Sequence, residues 1–298
     1  MATVRTSPSK GRGSPEVTGF HDRDTGSIQY VAVDPATRDA AIIDPVWDFD
    51  PRHARTDTHS ADEILRFVAE HGLRVVWILD THPHADHFTA AAYLGGKLGA
   101  PQAIGEKTRE IAALWREIYH LPEDFSVDGA FQRLFAEGDV FQIGNLTSRV
   151  MLSPGHTLGS VTYVVGEDAA FVHDTLMYPD SGTSRADFPG GDAATLYRSI
   201  QRILGLPEPT RLFVGHDYCP GGRPPQWEAT VAEHKARNIH LRGGVSEAEF
   251  VKLRTGRDAT LPLPDRILFA LQVNLRGGRL PPPESDGRSY FKVPANRF

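Results

Sequence analysis

One short segment constrains this chain more than any other. The five residues Val75 to Leu79 (VVWIL) read as a strand buried on both faces, and four candidate ligands, His82, His84, Asp86 and His87, follow within THPHADHF. Loops at the carboxyl ends of strands in open α/β sheets are where ligands and reactive groups gather. His82 and His84 are two positions apart, so an extended backbone would point both the same way, and Pro83 biases His82 toward that geometry. The step from His84 to His87 predicts a shared face on a helical turn beginning near Asp86. Three imidazoles and a carboxylate crowded together are costly to bury unless a cation pairs them. Seven of the other histidines (His21, His53, His59, His71, His120, His234 and His240) stand alone and read as surface or satisfied core residues.

The rest of the chain supplies a frame for this cluster. Further apolar runs, Gln29 to Val33, Ala40 to Ile43, Val150 to Leu152, Val161 to Val165, Ala169 to Val172 and Arg211 to Val214, read as strands. Segments with helical periodicity lie between them. Ser60 to Glu70 has Ser60 as N-cap with Glu63 three residues on; Lys107 to Tyr119, Asp192 to Leu204, Gln226 to His240 and Ser246 to Leu253 follow. Interleaved strands and helices imply a layered α/β architecture. With 298 residues, 40% of them apolar, the chain can bury this as one large unit.

Composition narrows the partners. The net charge of −6, with no block of Lys or Arg, argues against a nucleic-acid partner. No apolar run approaches the ~18 residues that span a bilayer, so a soluble, cytoplasmic protein without membrane association is expected. Residues 1–16, rich in Ser, Pro, Gly and basic residues, lack the apolar core of a secretory signal and read as a disordered tail. From Leu261 onward the Pro-rich stretch reads as an extended surface arm, with Ile267, Leu268, Phe269, Leu271 and Val273 to bury. The single cysteine, Cys219, excludes internal disulfides and all-thiolate metal sites, so any metal is held by His and carboxylates. Cys219 itself reads as a small packing residue.

Three later elements join the first cluster: SPGHT at 153–157, HDT at 173–175 and GHDY at 215–218. In that order, THPHADH, PGHT, an Asp after a hydrophobic strand and GHDY resemble the metallo-β-lactamase superfamily. The resemblance implies an αββα sandwich of two mixed sheets flanked by helices, a domain over 17–242 and a C-terminal extension over 243–298 packed on it. The HADH of the first motif, SGTSRADFPGGDAATLYRSI over 181–200, GHDY and the ending LQVNLRGGRLPPPE are similar to persulfide dioxygenases rather than to hydroxyacylglutathione hydrolases.

That family implies one Fe(II) per chain held by His82, His156 and Asp174. Two imidazoles and one carboxylate form the facial triad of non-haem iron oxygenases, which leaves sites for substrate and dioxygen side by side. His84, Asp86, His87 and His216 would then orient ligands and coordinated water through hydrogen bonds. The implied reaction oxidises glutathione persulfide with dioxygen to sulfite and glutathione. Asp86, His87, Arg185 and Tyr218 are the candidate catalytic groups. Arg185, with Asp187 as its partner, either meets an anionic substrate or forms a structural ion pair; Tyr218 either donates near substrate or packs with its hydroxyl satisfied. The rival reading is a dinuclear thioester hydrolase of the glyoxalase II type. There, two Zn or Fe ions would be held by His82, His84 and His156, and by Asp86, His87 and His216, with Asp174 bridging. His173 stands where the family usually has Gly, which predicts backbone crowding beside Asp174. A homodimer is the base-rate expectation.

Overall fold

The computed structural model describes residues 2–298. Two mixed sheets face each other. In the first, seven strands run in the order Thr3–Ser7, Glu16–His21, Ile28–Val33, Asp39–Ile43, Arg74–Leu79, Gln102–Gly105 and Arg133–Phe135. In the second, six run Val140–Ile143, Leu146–Leu152, Val161–Val165, Ala169–His173, Arg211–Val214 and Glu228–Thr230. The first four strands of the first sheet pair antiparallel and the last four parallel.

Alternation along Ile28–Val33 shows why the sheets stack. Ile28, Tyr30 and Ala32 join the core between the sheets, while Val31 and Val33 join an outer cluster under the helices His59–Glu70 and Ala91–Leu98. Between the sheets, Tyr30 meets Phe171 edge-on at 5.3 Å and Phe171 stacks on Phe213 at 5.1 Å. Burial of such a side chain contributes about 1.5–3 kcal/mol. Helix Ala193–Leu204 covers the second sheet through Leu196, Ile200 and Ile203. The result is the αββα sandwich that the motifs imply. Among the described residues, no helix is long and apolar enough to cross a membrane.

Several local expectations need correction. Ser60 does not cap the helix His59–Glu70; its N–H and hydroxyl both donate to Asp48, at 2.9 and 2.6 Å. The expected helix over 226–240 is a strand, Glu228–Thr230, then a helix, Val231–Arg237, because Thr230 and Glu233 form a capping box there. Of the expected disordered tail over 1–16, position 1 lies outside the described residues, and residues 2–16 are ordered. Thr3–Ser7 pairs with Glu16–His21, and fully buried Arg211 donates to Ser14 Oγ and the Pro15 carbonyl, at 3.0 and 2.9 Å. The segment after Leu261 is not wholly extended either, since Ile267–Asn274 is a helix with Ile267, Leu271 and Val273 buried.

The topology gathers four strand ends. Leu146–Leu152, Ala169–His173 and Arg211–Val214 share one direction, and their carboxyl ends meet that of Arg74–Leu79 across the sandwich. Bonds between the sheets close this edge: Val161 N–H donates to the Thr81 carbonyl at 2.9 Å and the Tyr163 hydroxyl to that of Asp80 at 2.8 Å.

Candidate metal centre

The loop after Leu79 is built from distant partners. Asp44 accepts from the N–H and the hydroxyl of Thr81 at 2.7 and 2.8 Å. With its proton so engaged, the Thr81 hydroxyl can only accept from His82 Nδ1, 3.1 Å away. That fixes the tautomer of His82 and leaves its Nε2 as a lone-pair donor, buried and without any hydrogen-bond partner. Asp44 also takes His84 Nε2 at 3.0 Å, leaving His84 Nδ1 unpartnered. The rings of His82 and His84 lie 4.2 Å apart, and those of His84 and His87 4.1 Å. No helical turn carries His84 and His87, contrary to expectation; residues 82 and 85–87 form bends around the irregular 83–84. Asn274, on the last helix, ties these bends down by donating to the carbonyls of His84 and His87 at 2.8 and 2.9 Å.

His156 sits on a turn that only glycine permits. Gly155 has φ +133°, and a Cβ there would lie 2.3 Å from the backbone of Leu196. His156 Nδ1–H donates to the Arg185 carbonyl at 2.8 Å, so its Nε2 is the free nitrogen, 3.6 Å from Asp174 Oδ2. Gly215 is a second close approach, since a Cβ would meet Asp174 Oδ1 at 2.6 Å. It lets His216 swing both ring nitrogens onto carboxylates, Nδ1 to Asp174 Oδ1 at 2.6 Å and Nε2 to Asp86 Oδ2 at 2.8 Å.

Two electrostatic regimes result. Burial pushes the His82, His156 and His87 imidazoles below their ordinary value, keeping them neutral. Burial opposes charge on His216 too, but Asp174 and Asp86 outweigh it and hold that ring well above the ordinary value. Burial would raise Asp174, yet His216 and His156 bring it down to about 2. His82, His156 and Asp174 each present one atom within 4.8 Å of the others; so do His84, Asp86 and His87, and so do Asp86, Asp174 and His216. Unpartnered nitrogens on three buried rings, His82, His84 and His87, fit a bound cation, which would satisfy them.

Ser27 escaped the sequence reading. Its hydroxyl is 2.7 Å from Asp86 Oδ2, 3.2 Å from His87 Nδ1 and 3.1 Å from His216 Nε2, at the hub of the second donor set. Asp44 and Asn274 were missed likewise.

A cavity of about 760 Å³ opens on the centre, lined by Asp86, His156, Asp174, Arg185, Phe188 and Tyr218 among others. Arg185 is committed to Asp187 by two bonds, 2.6 and 2.8 Å, and to the Pro262 carbonyl at 2.6 Å. Tyr218 is not a packed aromatic with a satisfied hydroxyl: it is 65% exposed and its ring lies 5.6 Å from that of His216. Cys219 is half-buried and lines a separate cavity beyond Tyr218. His173 has φ +40°, the left-handed backbone that glycine adopts freely, and the strand register shifts beside it. Thr175 and Ser153 hold its Nε2, at 2.8 and 3.2 Å, and it belongs to none of the donor groups.

Comparison with known proteins agrees with this fold. The family described as Metallo-beta-lactamase superfamily matches residues 23–216. A beta-lactamase hydrolase-like protein of Xylella fastidiosa is 59% identical over 95% of this chain, which spans 65% of that relative's length. Glyoxylase B2 of Dictyostelium discoideum is 42% identical, with 93% of this chain and 96% of the relative covered. The mitochondrial persulfide dioxygenase ETHE1 of Homo sapiens is 32% identical, with 85% and 84% covered. Among solved structures, ETHE1 from Myxococcus xanthus superposes with a TM-score of 0.70 at 29% identity, covering 88% of this chain and 98% of that one. With its sandwich, its strand-end histidines and this match over most of its length, the chain belongs to the metallo-β-lactamase superfamily of metal-binding enzymes.

Proposed function

We propose that this chain is a mononuclear non-haem iron persulfide dioxygenase, converting glutathione persulfide, dioxygen and water to glutathione, sulfite and two protons. The observation that carries this is an asymmetry among the donors. His82 Nε2, His156 Nε2 and Asp174 Oδ2 are free to meet one ion, while His216 gives both nitrogens to carboxylates and Asp86 accepts from Ser27 and from His216. A ring donating twice to carboxylates is an imidazolium, which has no lone pair for a metal.

Two imidazoles and a carboxylate would hold Fe(II) with open positions, and the iron supplies the redox centre at which persulfide and dioxygen react; zinc has no redox chemistry. The chain's own part is orientation. Thr81 and the Arg185 carbonyl set the tautomers of His82 and His156, and His216 turns Asp174 so that Oδ2 is left for the ion. Asp86, on the cavity wall, accepts from Ser27, His87 and His216 and so orients the groups beside the ligands. The likeness to ETHE1 proteins supports this reading.

A second reading, a dinuclear thioester hydrolase, is favoured by the free nitrogens His84 Nδ1 and His87 Nε2 and by the names of the hydrolase-like and glyoxylase relatives. Metal analysis of the purified protein with oxygen-electrode assays on glutathione persulfide separates the two. One iron per chain and oxygen uptake are expected; two metals, thioester cleavage and no oxygen uptake would overturn the proposal.

A further inference from the structure

Behind the ligand loop lies a third, much smaller void of about 20 Å³. Its wall is made by the residues that alternate with the candidate ligands. Pro83 stands between His82 and His84, Ala85 between His84 and Asp86, and Thr157 follows His156; all three line it, with Ile111 and Leu271 among the residues opposite. A void of this size has room for one small molecule, but water also needs two to four polar partners. The lining offers almost none. Pro83 has no N–H, and the Thr157 hydroxyl is already paired with Ser160 at 2.8 Å. Larger enclosed apolar cavities stay dry and take up small apolar species such as xenon, and the same lack of polar partners disfavours water here.

The void has a defined outlet. Ala85 and Phe188 line both it and the 760 Å³ cavity that opens on the metal centre. The Phe188 ring lies 5.3 Å from that of His156, so a molecule passing these two side chains arrives beside the candidate iron ligands. It does so without crossing the polar mouth near Tyr218 and Arg185.

We infer that this void is a binding site for a small apolar diatomic, dioxygen, held behind the His82–Asp86 loop and delivered past Ala85 and Phe188 to the metal centre. The inference rests on the dioxygenase reading, and it divides the two substrates: the charged persulfide enters by the large cavity, dioxygen from the apolar side.

Xenon-pressurised crystals of the iron-loaded protein test the site independently of turnover. Xenon is expected in the void of the wild type and absent from Ile111→Phe, whose larger ring fills it. In steady-state assays Ile111→Phe should raise KM for dioxygen at least about threefold, with KM for glutathione persulfide and iron content unchanged. Should that variant fail to fold, Leu271→Phe, which adds a similar volume from another lining position, carries the same two measurements. A wild-type void without xenon overturns the inference, as does loss of xenon with no change in KM for dioxygen. A wild-type protein that binds xenon there yet consumes no oxygen overturns the dioxygen assignment through the reading beneath it, with the cavity itself intact.

Discussion

The two halves of the metal centre are built from the same residue types and differ in what the surrounding chain does to their donor atoms. In the half containing His82, His156 and Asp174, neighbours consume the far side of each imidazole, Thr81 for His82 and the Arg185 carbonyl for His156, so the near side is a bare lone pair. In the half containing Asp86 and His216, the groups are spent on one another and on Ser27. Ligand capacity is therefore set by the hydrogen-bond partner behind each side chain more than by its residue type.

The strongest way to break this contrast is to remove donors from the open half. His156→Ala and Asp174→Ala should each lose iron, and with it oxygen uptake; full iron content by elemental analysis in either variant would place the ion elsewhere. His87→Ala probes the closed half. Its activity should fall about 10–100-fold, as for groups that orient ligands without binding the metal, while most of the iron is retained. Iron and activity falling in proportion would make His87 a ligand.

Ser27→Ala sharpens the contrast further. With the hub hydroxyl gone, Asp86, His87 and His216 can reorganise, and metal content under excess zinc should rise from about one to about two per chain. A stoichiometry fixed at one would mean that the Asp86–His216 pair alone closes that half.

The smallest effect is on the pH dependence of the metal-free fold, where two sets of buried histidines act in opposite directions. Burial lowers His82, His156 and His87 from an unfolded value near 6.5; it brings His173 down to about 3, and His234 and His240 to about 4. The folded chain then binds fewer protons, so stability is lost as pH falls from about 6.5 toward 4. His84 is raised to about 9, where Asp44 overcomes burial, and His216 is raised as well. Their contribution is present below 6.5 and lost as pH rises through about 9. Urea unfolding of metal-free protein should show a maximum near pH 6.5, and a monotonic rise up to pH 9 would contradict these charge states.

Much of the fold was legible because burial on two faces leaves a local signature. Val161–Val165 and Arg211–Val214 are bounded where their apolar runs end, and Asp192 caps its helix by accepting from Thr195 N–H at 2.7 Å. Thr3–Ser7 was not legible, since its order comes from pairing with Glu16–His21 and from Arg211 some two hundred residues away. The helix over Ile267–Asn274 was hidden by the prolines around it, although LQVNL already carried Asn274.

By itself, then, the order of apolar runs determined a layered α/β architecture, and short spacing determined the His82–His87 cluster; the sandwich and the distant members His156, Asp174 and His216 came from the resemblance of the ordered motifs to a known superfamily. Tertiary structure alone decided which nitrogen of each ring is free, and that Ser27, Asp44 and Asn274 belong to the centre. Hydrogen-bond partners 29 to 190 positions away leave no periodicity to read, and they choose the tautomer and aim the lone pair; even adjacent Thr81 fixes His82 only because distant Asp44 takes the Thr81 proton.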